Sequence, residues 1–170
     1  MLIILSGLPG TGKTTIAREL ASQTGAMHLR IDTIEQALRD TGLAVVEEGY
    51  HVACALAEDN LRLGRTVIAD SVNPLQITRD AWRTVAKRAG VQSIDIEITC
   101  SDIMIHQQRV VSRQSDIKGH KIPTWQTVCA RVYHPWKEPR TIIDTASESP
   151  ESSVARIRSL NALRPSSAQP

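Results

Sequence analysis

Eight residues near the start of the chain have the types and the spacing of a phosphate-binding loop. They run Gly7-Leu8-Pro9-Gly10-Thr11-Gly12-Lys13-Thr14 and match G-x-x-x-x-G-K-[ST] at every fixed position. The glycines of this pattern let backbone N–H groups turn inward around a phosphate, while the lysine reaches the β- and γ-phosphate oxygens. The threonine hydroxyl takes one coordination position on Mg²⁺. The loop therefore predicts binding of a nucleoside triphosphate with Mg²⁺.

The loop indicates the class of ligand but not the reaction, which other sequence features narrow. The Asn-Lys-x-Asp signature expected of a GTPase is absent from the sequence. The segment Asp116-Ile117-Lys118-Gly119 resembles a GTPase switch, but it follows no predicted strand, so we interpret it as part of a lid. A ring-forming ATPase module normally needs a longer chain with a helical lid domain. The sequence thus favours a small kinase that uses ATP.

Three charged side chains outside the loop are candidates for the same chemistry. Asp70 ends an apolar run, where a carboxylate can approach Mg²⁺ through water or bind a second substrate, although its polar neighbours also fit an ordinary turn. Arg109 and Arg113 lie four residues apart on a predicted helix and project from one face. Arginines on a closing lid can neutralise charge on a transferred phosphoryl group, whereas the alternative for both is a solvated helix face.

The elements that position these residues follow from the apolar pattern. Short apolar runs alternate with longer segments of helical period, which is typical of helices packed around a parallel sheet. The predicted strands are Leu2–Leu5, Met27–Arg30, Thr66–Ala69, Gln92–Thr99 and Thr141–Ile143. The predicted helices are Lys13–Gln23, Thr33–Asp40, Tyr50–Leu63, Leu75–Ala89, Asp102–Ser112 and Ser152–Leu163.

The composition is typical of one globular domain. The chain has 170 residues, of which 41% are hydrophobic, and no apolar stretch is long enough to cross a bilayer. We expect a kinase domain over residues 1–164 with a lid at about 114–123, a disordered tail at 165–170, and a cytoplasmic location. A net charge of only +2 and few aromatic residues argue against a nonspecific nucleic-acid binder. Three scattered cysteines are too few for a disulfide framework or a zinc site.

Several motifs together resemble the small P-loop kinases, specifically the AAA-type and zeta-toxin-like group that is similar to polynucleotide kinase and chloramphenicol phosphotransferase. Besides the phosphate loop, the resemblance rests on the segments Arg30-Ile31-Asp32 and Ile68-Ala69-Asp70-Ser71-Val72-Asn73-Pro74, and on the arginines before the lid. It spans nearly the whole chain. It implies a P-loop NTPase fold, which is a three-layer α/β sandwich whose five-stranded parallel sheet has the order 2-3-1-4-5, with a small lid.

The resemblance also implies roles for individual residues. An aspartate at the position of Asp32 accepts the proton of the attacking hydroxyl in the resembled kinases, and Thr145 lies where they approach the adenine. The alternative for Asp32 is a helix cap, because Asp32-Thr33-Ile34-Glu35 has the form of a capping box. Glu35 departs from the polynucleotide kinase pattern, in which an arginine at this position helps to hold the acceptor's phosphate. A carboxylate there disfavours a nucleic-acid acceptor.

We therefore expect ATP-dependent transfer of the γ-phosphate to a hydroxyl of a small molecule, either a metabolite or an antibiotic. The alternatives are a 5′-hydroxyl polynucleotide kinase and an ATP-binding regulatory module that transfers nothing. No membrane partner is expected, and the oligomeric state stays open.

The expected catalytic residues are Lys13, Asp32, Arg109 and Arg113. The expected Mg²⁺ contacts are Thr14 and Asp70. The residues expected to bind ATP are Gly7, Leu8, Pro9, Gly10, Thr11, Gly12, Lys13, Thr14, Thr15, Arg109 and Thr145. Candidates for lining the acceptor site are Tyr50, His51, Glu58, Arg79 and Trp82.

Overall fold

Five short apolar segments pair into one parallel sheet in this computed structural model, which describes residues 1–162. The strands are β1 (Leu2–Ser6), β2 (Met27–Arg30), β3 (Val67–Asp70), β4 (Ser93–Thr99) and β5 (Thr141–Asp144). The helices are α1 (Lys13–Thr24), α2 (Ile31–Asp40), α3 (Glu48–Arg62), α4 (Gln76–Arg88), α5 (Ile103–Ser112), α6 (Trp125–Cys129) and α7 (Pro150–Ala162). The strand order is β2-β3-β1-β4-β5, which confirms the expected order 2-3-1-4-5 and the α/β fold class.

Both faces of the sheet are covered by helices, and alternate residues of β1 show why. Leu2 and Ile4 pack into a buried cluster with side chains of α3 and α4, whereas Ile3 and Leu5 pack into a second cluster with α1 and α7. Because successive strand residues point to opposite faces, an all-apolar strand must be buried on both sides. The result is a three-layer sandwich with the sheet in the middle.

The parallel register brings the carboxyl ends of all strands to one edge of the sheet. Leu5 pairs with Asp70 of β3, Arg30 of β2 also pairs with Asp70, and Thr99 of β4 pairs with Asp144 of β5. Loops that leave these ends therefore meet above the same edge, which is where doubly wound sheets bind their ligands. The phosphate loop follows β1, in the centre of that edge.

The predicted elements are confirmed with small shifts at their ends, apart from two differences. Helix α2 begins at Ile31, so Asp32 is its second residue and not an N-cap, and the actual N-cap, Arg30, makes no capping side-chain hydrogen bond within residues 1–162. The capping-box interpretation of Asp32 is therefore wrong. Helix α6 was not predicted, because five residues are too few to show a helical period; Thr124 caps it by accepting from the backbone N–H of Thr127.

The segment expected to form the lid, about 114–123, contains no helix or strand and lies between α5 and α6. The predicted helix end at Leu163, the domain limit at 164 and the predicted tail 165–170 lie outside the described residues. Within the described part of the chain, no helix has both the length and the apolar character that a membrane crossing requires.

Candidate functional site

A cavity of about 1100 Å³ lies above the carboxyl ends of the strands. Its lining comes from the phosphate loop, from the residues that follow β2, β3 and β5, from α5 and from the lid segment. This volume is larger than that of a usual binding site for one drug-sized ligand. The predicted site residues that line it are Pro9, Gly10, Gly12, Lys13, Thr14, Thr15, Asp32, Asp70, Arg109, Arg113 and Thr145.

The phosphate loop is shaped by glycines whose backbone conformation and close neighbours exclude a side chain. Gly7 has a φ of 142°, and a Cβ atom there would lie 2.1 Å from the carbonyl oxygen of Ile98. Gly10 has a φ of 86°, and a Cβ atom there would lie 2.5 Å from a methyl group of Val110 on α5. Left-handed backbone without a Cβ lets successive N–H groups turn toward one point, which forms a concave site for an anion.

Gly7, Leu8 and Thr11 do not line the cavity themselves, although they were expected to bind the nucleotide. Instead they hold the loop in shape. The Leu8 carbonyl oxygen accepts hydrogen bonds of 2.9 Å from both the Thr11 hydroxyl and the Lys13 ammonium. The Gly7 N–H donates to the Val72 carbonyl oxygen at 3.1 Å, which joins the loop to the segment after β3.

Lys13 is almost fully buried at the start of α1, and its ammonium group donates a hydrogen bond to the Leu8 carbonyl oxygen of the phosphate loop. Burial lowers the pKa of Lys13 to about 8, although the carboxylates of Asp70 and Asp32 act in the opposite direction. The charges of Arg113 and Arg131 act with burial in lowering this pKa. A buried ammonium near two more cations is stabilised by an anion, so the electrostatics of the loop favour phosphate.

The carboxylate of Asp70 is buried beside Thr14, which was predicted to share Mg²⁺ with it. The nearby Thr14 hydroxyl helps to lower the pKa of the Asp70 carboxyl, and Nε2 of His28 donates to Asp70 Oδ2 at 3.1 Å. Burial raises the pKa of the Asp70 carboxyl, but the hydrogen bond from His28 and the charge of Lys13 outweigh it and hold that pKa below its ordinary value. Asp70 therefore stays ionised, as a ligand of a hard cation must.

These donors fit Mg²⁺ in chemical type. Within residues 1–162 there is no group of three or more His, Cys, Asp and Glu side chains that could hold a metal ion. A cage made only of protein ligands is not required, because Mg²⁺ is commonly bound by one or two carboxylates together with substrate phosphates and water. Thr14 and Asp70 offer a hydroxyl and a carboxylate next to the phosphate loop, which is this kind of partial shell.

Arg109 and Thr145 lie together at the β5 end of the cavity. The two terminal nitrogens of Arg109 donate to the Thr145 hydroxyl at 2.8 Å and to the Thr145 carbonyl oxygen at 3.0 Å. The Thr145 hydroxyl in turn donates to the carbonyl oxygen of Thr11 at 2.9 Å. Helix α5, the loop after β5 and the phosphate loop are thus joined through one threonine side chain.

Helix α5 also contacts the phosphate loop through a histidine that was not among the predicted site residues. Nε2 of His106 lies 2.8 Å from the Pro9 carbonyl oxygen. The His106 ring packs edge-on against Trp125 of α6, with the ring centroids 5.1 Å apart. Trp125 of the unpredicted helix α6 therefore packs against His106, the residue that contacts the phosphate loop. Arg113 follows α5 directly and lines the cavity where the lid segment begins.

The acceptor side of the cavity differs from what the sequence indicated. None of the five candidates Tyr50, His51, Glu58, Arg79 and Trp82 is among the residues that line the cavity. Arg79 and Trp82 are fully buried, and the Arg79 guanidinium donates to the carbonyl oxygens of Asn73 and His134 while it lies against the ring of Trp136. Their role is packing, as is common for large side chains in a small core.

Instead, the acceptor side is lined by charged residues of α2 and the lid. Asp32 has a side chain that is 38% exposed, and Arg30 Nη2 lies 4.0 Å from its carboxylate. Glu35 accepts from Arg39 at 2.9 Å, which partly neutralises the carboxylate that was expected to disfavour a nucleic-acid acceptor. Arg30 was not among the predicted site residues. The feature of the sequence that could have indicated it is an arginine at the end of a buried strand, a position that apolar residues normally occupy.

Comparison with known proteins identifies the family of this chain and solved structures that share its fold. A family model described as an AAA domain matches residues 2–131. A protein of Aeropyrum pernix named "Probable adenylyl-sulfate kinase" is 26% identical over 175 aligned residues, which cover 94% of this chain and 91% of that protein.

Two solved structures show the same fold over nearly the whole chain. Chaetomium thermophilum Kti12, in complex with ADP-AlF3, has a TM-score of 0.70 at 21% identity, over 97% of this chain and 100% of that one. The Mycobacterium tuberculosis APS kinase CysC, in complex with AMPPNP and APS, has a TM-score of 0.66 at 15% identity, over 95% and 96% of the two chains. The fold is that of the P-loop kinase-like domains, which confirms the resemblance noted in the sequence.

Proposed function

Because the chain belongs to the AAA domain family and has the fold of P-loop kinase-like domains, we propose that it is an ATP-dependent kinase that phosphorylates a hydroxyl of a small molecule. The observation that carries this proposal is the order of groups across one cavity. Thr145 follows β5 at one edge of the sheet, the phosphate loop follows β1 in the centre, Asp70 ends β3, and Asp32 follows β2 at the other edge.

This order provides separate places for two substrates. Four strand spacings of about 4.8 Å separate β5 from β2, or about 19 Å in all. ATP in the phosphate loop would direct its base toward Thr145 and its γ-phosphate toward the Asp70 side. Asp32 lines the far side of the cavity and offers a carboxylate to an acceptor hydroxyl, which it orients and from which it takes the proton.

The remaining cations would act on the transferred group. Lys13 binds the β- and γ-phosphate oxygens once it leaves the Leu8 carbonyl, and Arg113 stands where the lid segment begins, so that movement of the lid controls its approach. Arg109 positions the loop after β5 through Thr145. Thr14 and Asp70 are the residues that would hold Mg²⁺, which when bound neutralises charge on the phosphate oxygens.

Two relatives support a small-molecule acceptor. The Aeropyrum pernix relative is named for adenylyl sulfate, and the APS kinase was solved with APS, so both proteins are connected with a small molecule.

The test is ADP release measured with MgATP across metabolites, aminoglycoside and phenicol antibiotics, nucleosides and a 5′-hydroxyl oligonucleotide. One class of acceptor is expected to stimulate release, and Asp32→Asn is expected to abolish the stimulation. Asp40→Asn is the matched control, because Asp40 ends the same helix and bonds to Gln36 rather than lining the cavity. Slow release that no acceptor and no Asp32 substitution alters would contradict the proposal and indicate an ATP-binding regulatory module instead.

A further inference from the structure

Two arginines converge on one carboxylate of the lid segment at the acceptor side of the cavity. Nη1 of Arg30 donates to both carboxylate oxygens of Asp116, at 3.1 Å and 2.8 Å. Arg18 on α1 donates to the same carboxylate. All three residues line the cavity, and Asp116 comes from a segment without helix or strand.

Arg30 is unusual because it is buried and only partly satisfied. Its side chain is 5% exposed, yet Nε and Nη2 have no hydrogen-bond partner among the described residues. These two nitrogens form the edge of a guanidinium that binds an oxyanion through two parallel hydrogen bonds. Asp116 contacts Nη1 alone, so the strongest binding edge of Arg30 is left without an acceptor. Buried donors in this state are destabilising unless a further group satisfies them.

The Asp116 carboxylate can be replaced without disturbing the sheet. Its side chain is 40% exposed and belongs to the loop between α5 and α6, whereas Arg30 is fixed at the end of β2. The hydrogen bond from Arg30, together with that from Arg18, holds the pKa of Asp116 well below its usual range, which shows that this arrangement stabilises a negative charge. A carboxylate, sulfate or phosphate on another molecule presents the same oxygen geometry to a guanidinium.

The place of the arginine pair relates it to the proposed acceptor. Arg30 precedes Asp32 by two residues, and its Nη2 lies 4.0 Å from the Asp32 carboxylate. An oxyanion bound at Arg30 would therefore bring a hydroxyl of the same small molecule within reach of Asp32. The nearest further acidic residue of α2, Glu35, is already paired with Arg39.

We propose that Arg18 and Arg30 form an oxyanion subsite for the acceptor, that Asp116 fills it in the acceptor-free protein, and that the acceptor's carboxylate, sulfate or phosphate displaces Asp116. The identification of the ligand as the acceptor rests on the kinase function proposed above, whereas oxyanion binding does not. The acceptor class is thus narrowed from any hydroxyl compound to one that carries an anionic group.

The test measures binding of inorganic sulfate, inorganic phosphate and acetate by calorimetry at constant ionic strength. The protein is first saturated with MgADP, so that the phosphate loop is already occupied. Asp116→Ala is expected to bind sulfate or phosphate at least tenfold more tightly than the unsubstituted protein, because the internal competitor is gone. Adding Arg30→Gln to Asp116→Ala is expected to remove that gain. Arg39→Gln in the same background is the control for loss of one cavity cation, and is expected to keep most of the gain.

Two results would overturn the proposal. One is Asp116→Ala binding none of the three anions more tightly than the unsubstituted protein. The other is the double variant with Arg30→Gln binding as tightly as Asp116→Ala alone. Thermal unfolding with and without sulfate checks that each variant is folded, and a larger sulfate-induced rise in Tm for Asp116→Ala would support the site independently. If anions bind as expected but no acceptor is phosphorylated, the oxyanion site stands and the kinase function fails; the reverse pattern leaves the kinase function and removes this subsite.

Discussion

Arg109 and Thr145 are joined by two hydrogen bonds, of 2.8 Å to the threonine hydroxyl and 3.0 Å to its carbonyl oxygen, although they lie 36 positions apart in the sequence. The hydroxyl also bonds to the Thr11 carbonyl oxygen. One side chain therefore determines how α5, the loop after β5 and the phosphate loop are placed relative to one another.

Replacement of Thr145 by valine is expected to weaken nucleotide binding by about threefold to tenfold, since hydrogen bonds of this kind contribute about 0.5–1.5 kcal/mol each. Valine has nearly the same shape, so packing is preserved while the hydroxyl is lost. Titration with a fluorescent ADP analogue measures the effect. Thr145→Ser is the matched control and should bind almost normally; equal affinity of the valine and serine variants would show that the hydroxyl has no role in placing the loop.

Nucleotide binding is expected to depend on pH above neutrality because of Lys13, whose pKa burial lowers to about 8 in the nucleotide-free protein. Only the protonated amine binds phosphate well, so the dissociation constant for ATP should rise above pH 8, by up to about tenfold per pH unit. Calorimetric titrations from pH 7 to 9.5 test this. In Lys13→Met, affinity is expected to be low and flat across that range, and an equally steep dependence in this variant would assign the titration to another group.

The same group affects stability with the opposite sign. The pKa of Lys13 in the folded protein, about 8, lies below its ordinary value of 10.5, so the unfolded chain binds more protons between these pH values. The free energy of unfolding of the nucleotide-free protein should therefore rise as pH increases from 8 toward 10.5 as far as Lys13 contributes. Urea unfolding of the unsubstituted protein and of Lys13→Met isolates this contribution as the difference between their pH profiles.

Asp32→Asn is expected to lower acceptor-dependent turnover by about 10²- to 10⁴-fold, the usual contribution of a general base, with little change in Tm. The structure supplies the reason for the small effect on stability. Asp32 is the second residue of α2 and not its cap, so the substitution removes a helix-dipole interaction of about 0.3–1 kcal/mol and the 4.0 Å ion pair with Arg30, but no capping hydrogen bond. Single-turnover kinetics and thermal unfolding separate the two quantities. A large fall in Tm with unchanged turnover would identify Asp32 as a structural residue.

Gly10→Ala is expected to destabilise the protein more than Gly64→Ala. Both glycines have positive φ, 86° and 76°, so both alanines carry backbone strain of about 1 kcal/mol. Only at Gly10 does the new Cβ meet a neighbour, Val110, at 2.5 Å, whereas nothing lies within 4 Å at Gly64. Urea unfolding compares the two variants.

A double-mutant cycle with Val110→Ala isolates the contact at Gly10. The penalty of Gly10→Ala should be smaller when Val110 is already truncated, with a coupling energy of about 1 kcal/mol. Strict additivity of the two substitutions would show that the strained backbone alone accounts for the loss of stability.

Much of the fold could be predicted from the sequence because buried parallel strands leave a strong local signature. The apolar run of β1 and the alternating isoleucines of β4 identify these strands without tertiary information. Strand order came from the resemblance and not from periodicity, since each strand looks equally buried. Helix α6 was not predicted because a capping residue followed by five helical residues is too short to show a helical period.

The candidate site was predictable only where it is local in sequence. The phosphate loop is one contiguous motif, and the strand-end position of Asp70 follows from its apolar run. The contact of Arg30 with Asp116 spans 86 positions and depends on how the lid segment folds back over β2, which no local pattern encodes. Arg79 was misplaced for a related reason: two of the carbonyl oxygens that accept from its guanidinium, those of His134 and Pro135, come from a segment more than 50 residues away.

The buried side chain of Asn73 has a consequence for protein engineering. It has a φ of 46°, its amide nitrogen donates to the Leu5 carbonyl oxygen and the Ser6 hydroxyl, and its amide oxygen accepts from Trp82. Together with the hydrogen bond from the Gly7 N–H to the Val72 carbonyl oxygen, these contacts join the start of the phosphate loop to the segment that precedes α4. The phosphate loop and the segment after β3 are therefore not interchangeable modules. A chimera that changes acceptor preference by exchanging the segment after β3 must retain Asn73 and its partners, whereas exchange of the lid segment leaves this junction intact.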